Sequence, residues 1–361
     1  MIIRKLAGAA LSVLLFGCSS EHQIPVMSPS ADIDAPNTAN AESVMKMTLA
    51  LQPEVTDSSL ISYMRVAGIA DGNFYIGANN LMTFDKNGKC ISSFNHVGQG
   101  PEEYGEYDSS IFDCFSRKWI MVSSSMLPVL KTYSPSGEYI STDTIISSSN
   151  LTRIKEGWIA TNNGLVNPEL TLYYYDRDFN LIDSVNTRFM HRVYSANNSK
   201  TGLQCYLESN GEEAYIVRHD TVFNLTNPKV EPTPVAVVDF SAYTLPEDVD
   251  IMKQRDWYEK YIEPYYIFSK DYIVVWYKYD KQIAMRVYDI KDGNLVLALT
   301  NPITQDKPGL EVNYEGHNFY LGRPSYVAGN TFYFTISDSQ MSELTGDEDA
   351  NPALMAVEIV P

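Results

Sequence analysis

Glu102 and Glu103 stand side by side in the stretch Gly98-Gln-Gly100-Pro101-Glu102-Glu103-Tyr104. Gly98 and Gly100 admit backbone conformations closed to other residues, and Pro101 rigidifies the approach to the two carboxylates. A turn of this kind can hold acidic groups toward a ligand or cation on one face, and it also makes a sound crossover between two sheets. It is a poor phosphate cradle, because the adjacent carboxylates repel an anion and no Lys-Ser/Thr follows. A second candidate contact group is aromatic: Trp257, Tyr258 and Tyr261, whose large amphipathic rings suit either a protein hot spot or stacking on a sugar. Packing of these rings onto the body is the competing reading.

Other chemistry finds little support. His22, His96, His191, His219 and His317 are scattered without a metal-ligand spacing. Asp71-Gly72, Asp85-Lys-Asn87-Gly88 and Asp292-Gly293-Asn294 offer oxygen ligands of a calcium-loop kind, yet each falls where a hairpin needs a turn. No G-x-S-x-G elbow and no sialidase-type S-x-D-x-G-x-T-W box occurs, and none of Trp119, Trp158, Trp257 and Trp276 is followed by Asp, which removes the WD40 signature. No catalytic residue, metal or cofactor is expected from these patterns.

The elements that would carry such residues are strands. Apolar residues alternate on both sides of Asp85-Lys-Asn-Gly88, and Asn87-Gly88 is expected to supply the positive φ angles of a tight hairpin. Comparable turns follow at Ser134-Pro-Ser-Gly137, Asp176-Arg-Asp-Phe-Asn180, Thr226-Asn-Pro228 and Lys291-Asp-Gly293-Asn294. Each is preceded by a short apolar strand: Leu81 to Phe84, Val129 to Tyr133, Leu172 to Tyr175, Val222 to Leu225 and Ala284 to Ile290. A sixth strand, Ala353 to Val360, ends the chain without a partner after it, and Met45 to Leu51 is the segment able to pair with it. That pairing would remove two exposed edges and shut a ring. The expected fold is therefore all-β: a six-bladed β-propeller over 44–361, with blades of roughly 45 to 65 residues and an N-terminal strand closing the last blade. The long interval from Pro228 to Gly293 is expected to hold one helical insertion near 245–262, opened by Thr244 and Pro246 and carrying the aromatic trio.

The amino terminus reads as targeting sequence. Arg4 and Lys5 precede the apolar run Leu6 to Phe16, and Leu15-Phe16-Gly17-Cys18 resembles a bacterial lipobox, with Phe16 where a small residue is usual. Residues 1–17 would be a lipoprotein signal peptide and Cys18 the lipidated first residue of the mature chain, held to a membrane by several acyl chains. Residues 18–43, with Pro25, Pro29 and Pro36 among small polar residues, read as a flexible tether. Removing Arg4 and Lys5 takes the formal charge from −18 to −20, which argues against nucleic acid as a partner. The body is expected to be monomeric. Cys90, Cys114 and Cys205 cannot all pair within one chain and are read as small core residues, with one disulfide left open.

At this point the residues resemble a known group. The tract from Asp57-Ser-Ser-Leu60-Ile61 through Ile69-Ala-Asp71-Gly72-Asn-Phe-Tyr75-Ile76 and Phe84-Asp-Lys-Asn-Gly88 to Gly98-Gln-Gly100-Pro-Glu-Glu-Tyr104 is similar to the TolB-like six-bladed propeller lipoproteins of anaerobic gut bacteria, as is Val238-Asp239-Phe240-Ser-Ala-Tyr243-Thr-Leu245-Pro246. The resemblance implies a propeller in the cell envelope and transfers no catalytic residues; together with the lipobox at Cys18 the expected place is a lipid-anchored one at the outer membrane, with the periplasmic or surface face left open. Three functions fit: a binding module for an envelope protein or glycan, a polysaccharide hydrolase or lyase with paired carboxylates at the propeller centre, and a signalling or assembly platform. The binding module is the reading favoured by sequence.

Overall fold

The computed structural model describes residues 24–38, 41–105, 109–123, 128–162, 169–190, 193–196, 199–202, 207–218, 220–244, 260–262, 264–304 and 309–360. Six antiparallel sheets are arranged as the blades of a propeller. Blade 1 is built from Arg65–Ala70, Asn73–Gly77, Leu81–Phe84 and Cys90–Phe94, and blade 2 from Ser109–Asp113, Lys118–Val122, Val129–Tyr133 and Tyr139–Thr144. Blade 3 follows with Ser149–Ile154, Gly157–Thr161, Glu169–Tyr175 and Leu181–Met190, and blade 4 with Leu207–Ser209, Ala214–Arg218, Thr221–Asn224 and Thr233–Val238. Blade 5 contains Tyr265–Phe268, Tyr272–Tyr279, Gln282–Asp289 and Leu295–Pro302. Blade 6 takes Tyr326–Ala328, Thr331–Ile336 and Ala353–Ile359 from the end of the chain and Met45–Leu51 from its beginning.

The closing pair has the register that alternation demands. Met47 faces Val357 and Leu49 faces Met355. Leu354, Met355 and Val357 are at most 1% exposed, so the closure is a core contact and not a surface clasp. Asn351, buried just before that strand, adds a polar clamp. Its Oδ1 accepts from Ile61 N at 2.8 Å, and its Nδ2 donates to the carbonyls of Glu54 and Ser59 at 2.8 and 2.9 Å. Gly88 continues the seam: a Cβ there would lie 1.9 Å from Gln52 O, and Gly88 O accepts from Glu54 N at 2.8 Å.

The hairpin of blade 1 differs in detail from the expected turn. Gly88 has φ 81°, but Asn87 is not left-handed. The Asp85 carboxylate instead accepts from Asn87 N and Lys89 N at 2.8 and 3.0 Å, and the pairing register shifts between Thr83 and Phe84. One glycine and an aspartate cap therefore replace two left-handed residues, as in a turn ending in a glycine bulge. Those amides, the Lys89 N–H foremost, hold the Asp85 carboxyl below its ordinary range. The Asp176 turn uses the same device, accepting from Asp178 N and Asn180 N at 2.9 and 2.8 Å.

Residues 24–38 correct the reading of 18–43 as a free tether. Val26 and Met27 pair in parallel with Val237 and Val238, forming a fifth strand on blade 4, and Met27 is 0% exposed. The segment then crosses to blade 5, where Thr38 N donates to Ala298 O at 2.9 Å and Asn37 Oδ1 accepts from Thr300 N at 2.7 Å. Between these edges it lies over Arg286, which is 0% exposed. The guanidinium donates to Asp32 O from Nε and Nη2 at 3.2 and 3.1 Å, and to Leu299 O and Thr300 Oγ1 from Nη1 at 2.9 Å each. Tyr288 OH donates to the Asp32 carboxylate at 3.0 Å. A chain rich in proline can serve an outer edge because that edge needs few of its own donors.

Three further elements were not expected. Leu310–Tyr314 and His317–Leu321 form a hairpin packed in the core shared by blades 5 and 6, and Val193–Ala196 pairs with Ser199–Gly202. A helix, α1 (Asp338–Thr345), lies within blade 6 and buries Met341. Ser337 caps it by accepting from Gln340 N, and Gly346 ends it at φ 74°. The expected helix near 245–262 lies almost wholly outside the described residues. Its two ends are described, and Thr244 and Ile262 are bridged, with Ile262 N donating to Tyr243 O at 2.8 Å. Cys90 and Cys114 are free thiols, and Cys205 lies outside the described residues.

The strap yields a stability test. Starting the chain at residue 43 removes buried Met27 and strips Arg286 of the Asp32 and Ile33 carbonyls, so urea unfolding should show a loss of about 3 kcal/mol or more relative to a chain starting at residue 24. Equal midpoints for the two chains would mean that the strap adds nothing to the ring.

Candidate functional site: the axial cavity

The first strand of every blade faces the propeller axis, and six converging strands leave space that their side chains do not fill. The result is a cavity of about 340 Å³, to which all six blades contribute. Arg65 and Ala67 come from blade 1, Phe112, Cys114 and Phe115 from blade 2, and Arg153 and Trp158 from blade 3. Glu208 and Ser209 come from blade 4, Ile267 and Phe268 from blade 5, and Arg323 and Tyr326 from blade 6. Its volume falls at the lower end of the range for small-molecule sites.

The three arginines are not equivalent. Arg153 is a wall. Its Nε donates to the Asp113 carboxylate at 3.1 Å, Nη1 donates to the carbonyls of Ile154 and Gly157, and the guanidinium stacks over Phe115 and Trp158 at 4.4 and 5.3 Å from the ring centres. Asp113 is fully engaged, also accepting from Phe115 N and Ser116 Oγ at 3.1 and 2.6 Å. Arg65 and Arg323, by contrast, are exposed, and among the described residues neither has a carboxylate within 4 Å. Arg323 lies over the Tyr265 ring at 5.0 Å.

Glu208 is the one carboxylate among the described residues that line the cavity. Burial pushes its carboxyl up to about 7, against a smaller lowering effect from Arg323. Cys114 is no activated nucleophile: burial pushes the thiol up, and its Sγ donates to Ile69 O at 3.3 Å. Burial also raises the Tyr326 phenol, which lies 3.7 Å from that sulfur. The chemistry present is cationic and aromatic recognition, with one carboxyl able to change charge near neutrality.

The Gly98–Tyr104 turn lies outside this cavity and works as a crossover between blades 1 and 2. Gly98 N donates to Tyr104 O and Tyr104 N to His96 O, both at 3.0 Å, and buried Tyr104 accepts from His96 N at its phenol oxygen. Glu103 turns back on the loop, its carboxylate accepting from Gly100 N at 2.7 Å. A Cβ on Gly98 would lie 1.9 Å from that carboxylate. Blade 2 fastens the rest, with Lys131 Nζ donating to the Pro101 carbonyl at 2.9 Å and Tyr133 OH to the Glu102 carbonyl at 2.7 Å. Pro101 and Glu102 remain exposed, and the two carboxylates are not presented as a pair. Tyr261 is half-buried, while Trp257, Tyr258 and Cys18 lie outside the described residues. Among the described residues no three His, Cys, Asp or Glu side chains converge as a metal site.

Arg65, Glu208 and Arg323 were missed by the sequence reading because they stand far apart in the chain with no local motif around them. Their common signal is position: each sits in or beside the first strand of a blade.

Glu208 gives a pH-dependent expectation. Its folded-state carboxyl is raised from 4.5 to about 7, so the protonated form is favoured in the fold, and stability falls as pH rises through that interval. Arg65, Arg153, Arg323, Cys114 and Tyr326 share its surroundings, and burial raises the Cys114 thiol and the Tyr326 phenol, away from that interval. Glu208→Gln should therefore be indistinguishable from the parent below pH about 4 and more stable by up to about 3 kcal/mol at pH 8, read from urea midpoints across pH. A difference that does not grow with pH would remove Glu208 from the buried cavity wall.

Residues 27–358 match the model of a family described as Domain of unknown function (DUF4934). No curated protein matches the chain. Among solved structures, a candidate exported protein from Bacteroides fragilis superposes with a TM-score of 0.64 at 17% identity, covering 94% of this chain and 100% of that one. The PQQ-bound aldose sugar dehydrogenase of Streptomyces coelicolor is matched at a TM-score of 0.40 and 10% identity, over 90% of this chain and 100% of that one. A protein of unknown function from Bacteroides caccae is matched at 0.37 and 9%, over 67% and 84%. At 17% identity the first likeness speaks for the fold alone. With six blades closed by its own two ends and a family model spanning almost all of them, this chain belongs to the DUF4934 family.

Proposed function

We propose that the protein is a lipid-anchored propeller of the cell envelope that binds a partner through its axial cavity and does not catalyse a reaction. The observation that carries this reading is the cavity lined from all six blades, with cationic and aromatic side chains in it. The hydrolase or lyase alternative needs two carboxylates about 5 to 9 Å apart across a substrate. Glu208 has no such companion among the described lining residues, and nearby Asp113 is committed to Arg153. Envelope placement rests on the lipobox at Cys18, on the likeness to TolB-like lipoproteins of gut bacteria, and on the candidate exported protein of Bacteroides fragilis.

The strap changes how such an anchor would act. Only five residues separate Cys18 from Ile24, the first described residue of the strap, a reach of at most about 20 Å. A lipid on Cys18 would hold the edges of blades 4 and 5 near the outer-membrane surface, on whichever face the protein occupies. The exposed axial opening would then be presented at a restricted set of angles.

Two measurements test the reading. Metabolic labelling with a fatty-acid probe should mark the chain and be abolished by Cys18→Ala. The Cys18→Ser chain on an array of envelope glycans and proteins should retain a partner, and Ser325→Trp, which puts bulk at an exposed position lining the cavity, should weaken retention at least tenfold. Undiminished retention by the filled variant, or turnover of an envelope polysaccharide, would overturn it.

A further inference from the structure

Arg65 and Arg323 present a charge contrast that the fold does not require. The chain carries a formal charge of −18, with 45 acidic against 27 basic side chains, so an exposed arginine has many potential partners. Arg117 and Arg177 do pair at the surface, with Asp71 and Glu156. The two exposed arginines lining the axial cavity have no carboxylate within 4 Å among the described residues. Arg323 is also steadied over Tyr265, which leaves its donors ordered before any ligand arrives.

The rest of the wall narrows the ligand. Phe115 is 53% exposed and lines the cavity, with the guanidinium groups of Arg153 and Arg177 at 4.4 and 5.9 Å from its ring centre, so the wall carries an exposed aromatic ring steadied by cations. Glu208 opposes any accumulation of negative charge. Two arginines with one carboxylate balance a monoanion better than a phosphate dianion, and the arginine fork matches the two oxygens of a carboxylate. A volume of about 340 Å³ limits the bound portion to a small unit.

We infer that the axial cavity is a binding site for a carboxylate-bearing sugar of the uronic acid class, its acid group held by Arg65 and Arg323 and its ring face set against Phe115. The inference rests on the proposed binding role and names the chemistry that role would recognise. Specificity for acidic over neutral sugars comes from the two arginines, while the aromatic face accepts either. Glu208 tempers affinity, because its ionised form competes with the ligand for the same cations.

The test is calorimetric titration of the Cys18→Ser chain with galacturonate and glucuronate, against glucose and inorganic phosphate as controls. The uronates should bind at least tenfold more tightly than glucose or phosphate, and raised salt should weaken them. Arg65→Ala and Arg323→Ala should each reduce uronate affinity at least tenfold with unchanged thermal midpoints, as both side chains are exposed. Arg323→Lys should restore part of the loss, and Glu208→Gln should tighten binding at pH 8. Phosphate binding as tightly as the uronates, uronates binding no better than glucose, or alanine variants with parental affinity would each overturn the inference. Loss of array retention in Ser325→Trp alongside a failure of all uronates would leave the binding role standing and discard this ligand class.

Discussion

A ring of sheets depends on its last seam. Each blade here packs against two neighbours, so an unpaired blade 6 would expose both an edge strand and the apolar faces of blades 5 and 1. Pairing Met45–Leu51 with Ala353–Ile359 turns that open end into core, and the near-zero exposure of Leu354, Met355 and Val357 shows how completely it does so. Asn351 then ties the segment after the N-terminal strand to blade 6 through three hydrogen bonds in a buried position, where unsatisfied amides would be costly. Contacts of this kind link residues some 300 positions apart, and they make the axial cavity a property of the closed ring rather than of any blade.

The strap is a second tie on the same ring, laid across the outer edges of blades 4 and 5. Arg286 is the reason it stays. A guanidinium at 0% exposure needs acceptors for all its donors, and the body of blade 5 provides only part of the set. Asp32 and Ile33 complete it with main-chain carbonyls, and Asp32 also takes the hydrogen bond from Tyr288. Two sheet edges that could template association are covered by the same segment.

Much of this architecture was legible in the sequence, for physical reasons that also explain the misses. The strands Leu81–Phe84, Val129–Tyr133 and Met45–Leu51 stand where alternation and turn residues placed them, because a half-buried strand writes a period of two into the chain. The strap was read as linker because a two-residue strand is too short to show a period, and its anchor, Arg286, is a charge hidden among apolar neighbours. Helix α1 does carry local signs, Ser337 three residues before Gln340 and Gly346 after the last turn, but at eight residues it is too short to write a clear helical period between two strands. The Gly98–Tyr104 turn stands out for its carboxylates, yet that of Glu103 is spent on the loop's own Gly100 amide. Its distinctive composition reflects the geometry of a crossover.

The cavity illustrates why a propeller site resists sequence reading. Motifs become visible when neighbouring residues in the chain act together, whereas a propeller assembles its centre from one or two residues per blade, separated by the length of a blade. Arg65, Glu208 and Arg323 are unremarkable individually, since most arginines and glutamates lie on solvated surfaces. What distinguishes them is that the ring brings them to one axis, where burial moves the Glu208 carboxyl to about 7 and leaves two exposed cations with no carboxylate within 4 Å among the described residues. In a chain this acidic, the surface repels anions at long range, so an anionic ligand must be recognised at short range by geometry. An arginine pair beside an aromatic face supplies that geometry, and the ring closure that holds blade 6 against blade 1 is what holds Arg323 and Arg65 in the same cavity.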